Sequence, residues 1–364
     1  MSTLQDIITD ISERLDIFLR ERREEVAQDD ALGGSDPVVD VLLEHAASAL
    51  SGGKRLRARF AFWGWRAAGA ASPPESVIAL GAALEIFQAA ALVHDDIVDN
   101  SDTRRGAPSS WRALEAAHRA HGWSGPAEEF GRTGAILLGD LLLGWSDDLF
   151  EEALVSLSPA AARAARAQYA RMRRDVTLGQ FLDVAGEAAW PTTDDDLHAD
   201  RALRIAVLKS ARYSVQQPLL LGADVAGAGT ETRAALAAIG HPLGLAFQLR
   251  DDVLGAFGDP VLTGKPAGDD LVEGKRTLLI AYAREKMDPE SRAALDERLG
   301  DSMSDDDIAA MQSLICDTGA LERVEQEIAA YAQQAREAIA SAGFDPLASA
   351  ELEQLVTATT VRLA

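Results

Sequence analysis

The sequence predicts an all-α protein folded as a single domain, residues 1–364. Three observations carry this expectation. Segments rich in Ala, Leu, Arg and Glu repeat apolar residues at three- and four-residue spacing, the period of a helix with a buried face. Glycine and proline clusters separate these segments. No convincing run alternates apolar and polar residues, and no hairpin dipeptide joins two apolar runs.

The elements follow in order. Segment 4–26 sets Ile7, Ile8, Ile11, Leu15, Phe18 and Leu19 among acids and arginines, an amphipathic helix without a signal peptide's apolar stretch. Helices are predicted over 37–51 and 54–70, each after a glycine pair, Gly33-Gly34 and Gly52-Gly53. Segment 75–99 follows Ser72-Pro73-Pro74 and is apolar nearly all round, as is 131–145, so both should be central. A shorter helix over 108–120 lies between them, closed by breakers at 122–126. Helices over 131–156, 159–185 and 197–221 come next, with Trp190-Pro191 and three acids at 194–196 before the last. A helix over 231–257 leads into a long loop, 258–274. The final helices are predicted over 273–286, 304–316, 318–342 and 346–362. The expected architecture is therefore a bundle of about ten or more helices. No stretch reaches the roughly 18 uncharged apolar residues of a membrane span, and the longest candidate, 79–93, holds Glu85 and Gln88. A cytoplasmic location is expected.

Charge narrows the function. The chain carries 35 Lys+Arg against 58 Asp+Glu, a formal charge of -23. Such a surface should not hold nucleic acid or anionic lipid. Only five basic residues are lysines: Lys54, Lys209, Lys265, Lys275 and Lys286. Cys316 stands alone, which excludes an intrachain disulfide and a cysteine zinc site. The six histidines form no evident metal set, and His94 is expected to be packed.

The strongest local signal is Asp95-Asp96-Ile97-Val98-Asp99 at the end of an apolar helix. Helical geometry puts Asp95 and Asp99 on one face, about 6 Å apart along the axis. Two bare carboxylates at such range repel by roughly 4 kcal/mol at 4 Å and an effective dielectric of 20. A divalent cation would turn that repulsion into binding, and an oxygen-only donor set suits Mg²⁺. A solvated acidic helix end is the competing explanation. A second pair, Asp251-Asp252, follows Phe247-Gln248-Leu249-Arg250 on another apolar helix, so the two motifs could clamp a metal cluster. Cations accompany the acids: Arg104-Arg105-Gly106, Gly52-Gly53-Lys54-Arg55-Leu56-Arg57, Gly264-Lys265 and Gly274-Lys275-Arg276. Three of these lysines follow a glycine in a loop or at a helix start, which suits phosphate, although no Walker A pattern is present. The combination suggests one magnesium-chelated diphosphate beside a second held directly by cations.

These residues resemble the trans-isoprenyl diphosphate synthases, the polyprenyl synthetase family that includes farnesyl and geranylgeranyl diphosphate synthases. The resemblance rests on GGKRLR (52–57), FQAAALVHDDIVDNSDTRRG (87–106), GQFLD (179–183), LKS (208–210) and FQLRDDVLGAFGDPVLTGKPAGDDLVEGKRT (247–277). It looks closest to the actinobacterial geranylgeranyl type. The resemblance implies the isoprenoid synthase fold with a deep central cavity, a homodimer, and head-to-tail (1'-4) condensation of isopentenyl diphosphate onto an allylic diphosphate. It implies Mg²⁺, three ions per site, at Asp95 and Asp99 with Asp96 in support, and at Asp251 with Asp252 nearby. Arg104, Lys209 and Lys265 would grip the allylic diphosphate, with Ser210, Gln248 and Gln180 lining its pocket. Lys54, Arg57, Gln88 and Arg105 would hold isopentenyl diphosphate, and Lys275 falls among the diphosphate-binding motifs. Three positions depart from the family pattern. Gly255 stands at the last Asp of the second motif, Gln88 where many relatives have His, and Ser210 where Thr is usual.

Product length is expected from the helix before Asp95. Ala90 and Ala91, one turn below, are small where farnesyl synthases usually place aromatics. Phe87 lies eight residues before Asp95, about 12 Å down the axis, and is the expected floor. An isoprene unit is about one helical turn long, roughly 5 Å, so the expected product is C20, with C25 or longer as the alternative. A class I terpene cyclase and a non-catalytic partner subunit are the competing functions.

Overall fold

The computed structural model describes residues 4–29, 31, 36–70, 74–258 and 268–360. Among them the chain is almost entirely helical. In order come α1 (Leu4–Gln28), α2 (Pro37–Ala49), α3 (Leu56–Ala67), α4 (Pro74–Val98), α5 (Ser110–Ala120), α6 (Ala127–Leu154), α7 (Pro159–Ala188) and α8 (His198–Ile205). A π-helical segment (Ala206–Gln216) then runs into α9 (Gln217–Val225) and α10 (Thr230–Phe257). The C-terminal part holds α11 (Asp269–Val272), α12 (Leu278–Lys286), α13 (Pro289–Arg298), α14 (Asp305–Asp317), α15 (Ala320–Ser341) and α16 (Pro346–Thr360).

Packing follows from which helices are apolar all round. α4 is buried along most of its length and lies against α6, with α1, α3 and α5 also touching it. Leu80, Leu84 and Ile86 of α4 share one core cluster with Leu138, Leu142 and Leu149 of α6, and all six are fully buried. Each such side chain contributes roughly 1.5–3 kcal/mol of transfer free energy. Ser146 of α6 pins the layer, donating to the Ala83 carbonyl at 2.8 Å and lying 2.6 Å from the Tyr169 hydroxyl of α7. By length and composition α4 alone among the described helices would suit a membrane span, but 78% of its apolar window is buried inside the fold. A second cluster, including Leu249, Val253, Leu278, Leu279, Leu295, Ile315 and Val324, joins α10 to the C-terminal helices.

Helix starts are chemically marked. Asp36 before Pro37, Ser158 before Pro159 and Asp288 before Pro289 each cap a helix through the side chain. The last of these starts α13, which was not among the expected helices. Leu295 is its only buried residue, so its charged surface leaves almost no periodicity to read. The helix expected from 273 begins at Leu278, and the loop expected over 258–274 contains the single turn α11. One short hairpin among the described residues lies outside the expected elements. Thr103–Arg104 pairs antiparallel with Ala107–Pro108, with Thr103 opposite Pro108 and Arg104 opposite Ala107. Arg105 (φ 54°) and Gly106 (φ 75°) make its tight two-residue turn, and strands of two residues show no alternation in sequence.

The π segment is where regular helix gives way. It carries Lys209 and Ser210 and is pressed between α7 and α10. A Cβ on Gly179 of α7 would lie 2.6 Å from Lys209 Cα, and one on Gly244 of α10 would lie 2.8 Å from the Ala211 carbonyl carbon. Such π distortions often mark functional positions.

Candidate active site

The C-terminal end of α4 brings its carboxylates to a cluster of cations. Asp95 Oδ1 lies 3.4 Å from Lys209 Nζ, and Asp95 Oδ2 lies 3.7 Å from the Arg104 guanidinium. Burial alone would raise the Asp95 carboxyl, but Lys209, Lys275 and Arg104 outweigh it and hold it below its ordinary value. Asp99 is pushed up to about 6, first by burial and then by the charge of Asp95. Asp96 shares the Arg104 guanidinium with Asp95. It is buried and accepts from Arg104 Nε at 2.8 Å and from the same guanidinium's terminal nitrogen.

Two lysines tie the acids together. Lys209 Nζ donates to Asp183 at 2.6 Å. Lys275 Nζ lies 2.6 Å from Glu273, 3.4 Å from Asp99 and 3.5 Å from Asp270. Both ammonium groups are raised above their ordinary value, because the surrounding acids outweigh burial. Lys275 therefore stands between the first acid motif and the segment packed on the second. In that second motif Asp252 is buried and accepts from Gln248 Nε2 at 2.6 Å. Burial, then the charge of Asp270, pushes its carboxyl up to about 8. One ligand oxygen from each of Asp269, Asp270 and Glu273 lies within 4.8 Å of the others, an arrangement that could hold a cation.

A second group is cationic. Arg57 donates to the Ser214 hydroxyl at 2.7 Å and lies 4.2 Å above the Tyr213 ring. The Tyr213 hydroxyl donates to Gln88 Oε1 at 2.6 Å. Arg105 donates to the Ser51 carbonyl at 3.1 Å and lies over Gly53, whose missing Cβ leaves it room. Burial lowers Arg105 below its ordinary value, and Arg104, Arg55 and Arg57 push the same way against Glu85. Lys54 is exposed beside them. Arg55 has a structural partner, the buried Glu85 of α4, at 3.3 Å.

The expected residues thus fall into two groups. Asp95, Asp99, Arg104, Lys209 and Lys275 meet directly, and Ser210 adjoins Lys209 on the π segment. Asp251, Asp252 and Gln248 lie on α10, and Gln180 on α7 presents a buried Nε2 with no hydrogen-bond partner. Lys265 lies outside the described residues. Phe87 is buried, with its ring 5.5 Å from that of Tyr213 and 6.2 Å from that of Tyr169. Ala90 is buried and Ala91 half-buried on the same helix. His94 packs against α6 in the notch left by Gly139 and lies 3.2 Å from the Ile136 carbonyl. Sequence reasoning missed Asp183, Asp270, Glu273 and Tyr213. The first sits inside the GQFLD motif and the next two inside GDDLVEGK, so their signal was present as unassigned acids.

Comparison with known proteins gives the class. The chain matches the polyprenyl synthetase family over residues 39–315. It is 31% identical over 309 residues to geranylfarnesyl diphosphate synthase of Aeropyrum pernix, covering 84% of this chain and 88% of that one. It is 32% identical over 307 residues to (2E,6E)-farnesyl diphosphate synthase of Mycobacterium tuberculosis, covering 83% and 78%. The crystal structure of geranylgeranyl pyrophosphate synthase from Corynebacterium glutamicum, complexed with isoprenyl diphosphate and magnesium, superposes with a TM-score of 0.91 at 38% identity over 100% of both chains. The all-helical fold and these matches together define an isoprenoid synthase. The chain belongs to the polyprenyl synthetase family and is a trans-prenyltransferase. These relatives make products of different lengths.

Proposed function

We propose that the protein condenses isopentenyl diphosphate head-to-tail with an allylic diphosphate and releases mainly the C20 all-trans product. The observation that carries this is the pairing of two differently built charge clusters, one of acids bridged by Lys209 and Lys275, the other of arginines backed by Tyr213 and Gln88. A single-substrate cyclase needs only the first.

The acid cluster fits Mg²⁺. Its donors are carboxylates alone, the hard oxygen set that suits this ion. Asp95, Asp99, Asp251 and Asp252 would hold the ions, three per site by family resemblance. When bound, Mg²⁺ supplies positive charge to the diphosphate of the allylic substrate as it leaves. Lys209, Arg104 and Lys275 add fixed positive charge around the same oxygens, with Ser210, Gln248 and the unpartnered amide of Gln180 available as further donors. Lys265 belongs to this set by resemblance. Arg57, Arg105, Lys54 and Gln88 orient isopentenyl diphosphate so that its double bond faces the allylic carbon. The allylic C–O bond breaks to leave an allylic cation, the isopentenyl double bond attacks it to form the new C–C bond, and the proton then lost from the isopentenyl unit passes to the departing diphosphate. Apolar side chains of α4 exclude water from the cationic carbon.

Length is set by depth. Ala90 and Ala91 leave the first turn open, and the Phe87 ring, braced on Tyr213 and Tyr169, closes the path. The family resemblance also supports a homodimer and a cytoplasmic setting. Chromatographic sizing of the products from labelled isopentenyl diphosphate and each allylic starter tests the assignment. A C20 peak is expected, and a dominant C15 or C25 peak would contradict the length assignment.

A further inference from the structure

The second acid motif reads Asp251-Asp252-Val253-Leu254-Gly255, with no side chain at its last position. The space beside that position is filled. A Cβ built on Gly255 would fall inside the Asp270 carboxylate, with Oδ1 at 2.7 Å and Cγ and Oδ2 closer still. The carboxylate comes from α11, after a turn that begins at Gly268 in the left-handed region (φ 67°). The backbone N–H of Lys275 donates to the Asp270 carbonyl at 3.0 Å and closes that turn. Glu273 engages Lys275 and the Ser101 hydroxyl, while the Asp270 carboxylate, with Oδ1 3.5 Å from the same ammonium, also packs onto α10 at Gly255.

We infer that Asp270 supplies through space the carboxylate that residue 255 lacks in sequence, making it a binding group of the second acid motif for the Mg²⁺–diphosphate complex. The inference rests on the diphosphate-synthase reading above. Its physical content is volume exclusion: Gly255 is what allows Asp270 to come this close, and one carboxylate, not two, fits there. An Asp270 that merely balanced Lys275 would have no need of a glycine on α10.

The test uses the full-length chain, with Mg²⁺ and inorganic diphosphate as probes and calorimetric affinity as the readout, beside activity. Asp270→Asn keeps the shape and removes the charge, and should weaken Mg²⁺-dependent diphosphate binding by about 10- to 100-fold, the usual effect of a lost supporting group. Gly255→Asp alone crowds two carboxylates into one volume and should also weaken it. The double variant Gly255→Asp/Asp270→Ala should return to within about threefold of wild type, against the loss seen in Asp270→Ala. Wild-type affinity in a folded Asp270→Asn, or a double variant no better than Asp270→Ala, overturns the inference. A wild-type protein that neither binds the Mg²⁺–diphosphate probe nor condenses substrates would instead overturn the underlying function.

Discussion

Lys209 of the π segment donates to Asp183 of α7 at 2.6 Å, while the same ammonium stands 3.4 Å from Asp95 of α4. One lysine thus connects three helical elements at the mouth of the acid cluster. Gly179 makes this possible, since any side chain there would hold the π segment away from α7.

Asp183 is therefore expected to position Lys209. Asp183→Asn should raise KM for the allylic diphosphate by about tenfold, the scale of one charge-assisted hydrogen bond. KM for isopentenyl diphosphate should hold. Steady-state kinetics with each substrate varied in turn checks this, and equal changes in both constants would count against it.

Arg57 should act on the other substrate. Arg57→Ala removes the guanidinium held between Ser214 and the Tyr213 ring. KM for isopentenyl diphosphate should rise about 10- to 100-fold, as expected for a charged hydrogen bond worth about 1.5–3 kcal/mol. An effect confined to the allylic KM would show that the two diphosphate sites have been exchanged.

Phe87→Ala should lengthen the product by at least one isoprene unit. It opens the aromatic layer with Tyr213 and Tyr169 and should also cost about 3–5 kcal/mol of stability. Product sizing at reduced temperature separates the two effects. Unchanged product length in the folded variant would move the floor to another residue.

Away from the site, His198 gives the fold a pH dependence. Its ring centroid lies 3.7 Å from that of Trp190, and neither ring nitrogen has a hydrogen-bond partner. Burial, helped by Arg284, holds it below the ordinary 6.5, against Asp195 and Asp296. The unfolded chain binds a proton that the folded one resists, so this contribution is complete above pH 6.5 and is lost as pH falls towards the folded value. Urea unfolding of wild type and His198→Phe at a series of pH values should show a shallower acid slope in the variant. Parallel slopes would remove His198 as the cause.

How far the sequence could be read depends on distance along the chain. Asp95 and Asp99 are four residues apart on one helix, and their shared face follows from helical geometry. The all-α class followed in the same way from apolar period and breakers. Asp183 and Asp270 were not legible as site residues, because they reach Lys209 and Gly255 only when α7, the π segment and α11 pack. Gly255 did show as a departure from the family motif, but what fills its place depends on a segment 15 residues further on. Helix α13 escaped because its signal is a cap, Asp288-Pro289, and not an apolar stripe.

The most direct measurement is diphosphate release with Mg²⁺, first with allylic diphosphate alone and then with isopentenyl diphosphate added, with the organic product identified in each case. Two cooperating charge clusters predict release only when both substrates are present, one diphosphate per isoprene unit added, and a longer linear all-trans diphosphate as product. Release from the allylic substrate alone with a cyclic hydrocarbon as product, or no release with both substrates, would contradict the account.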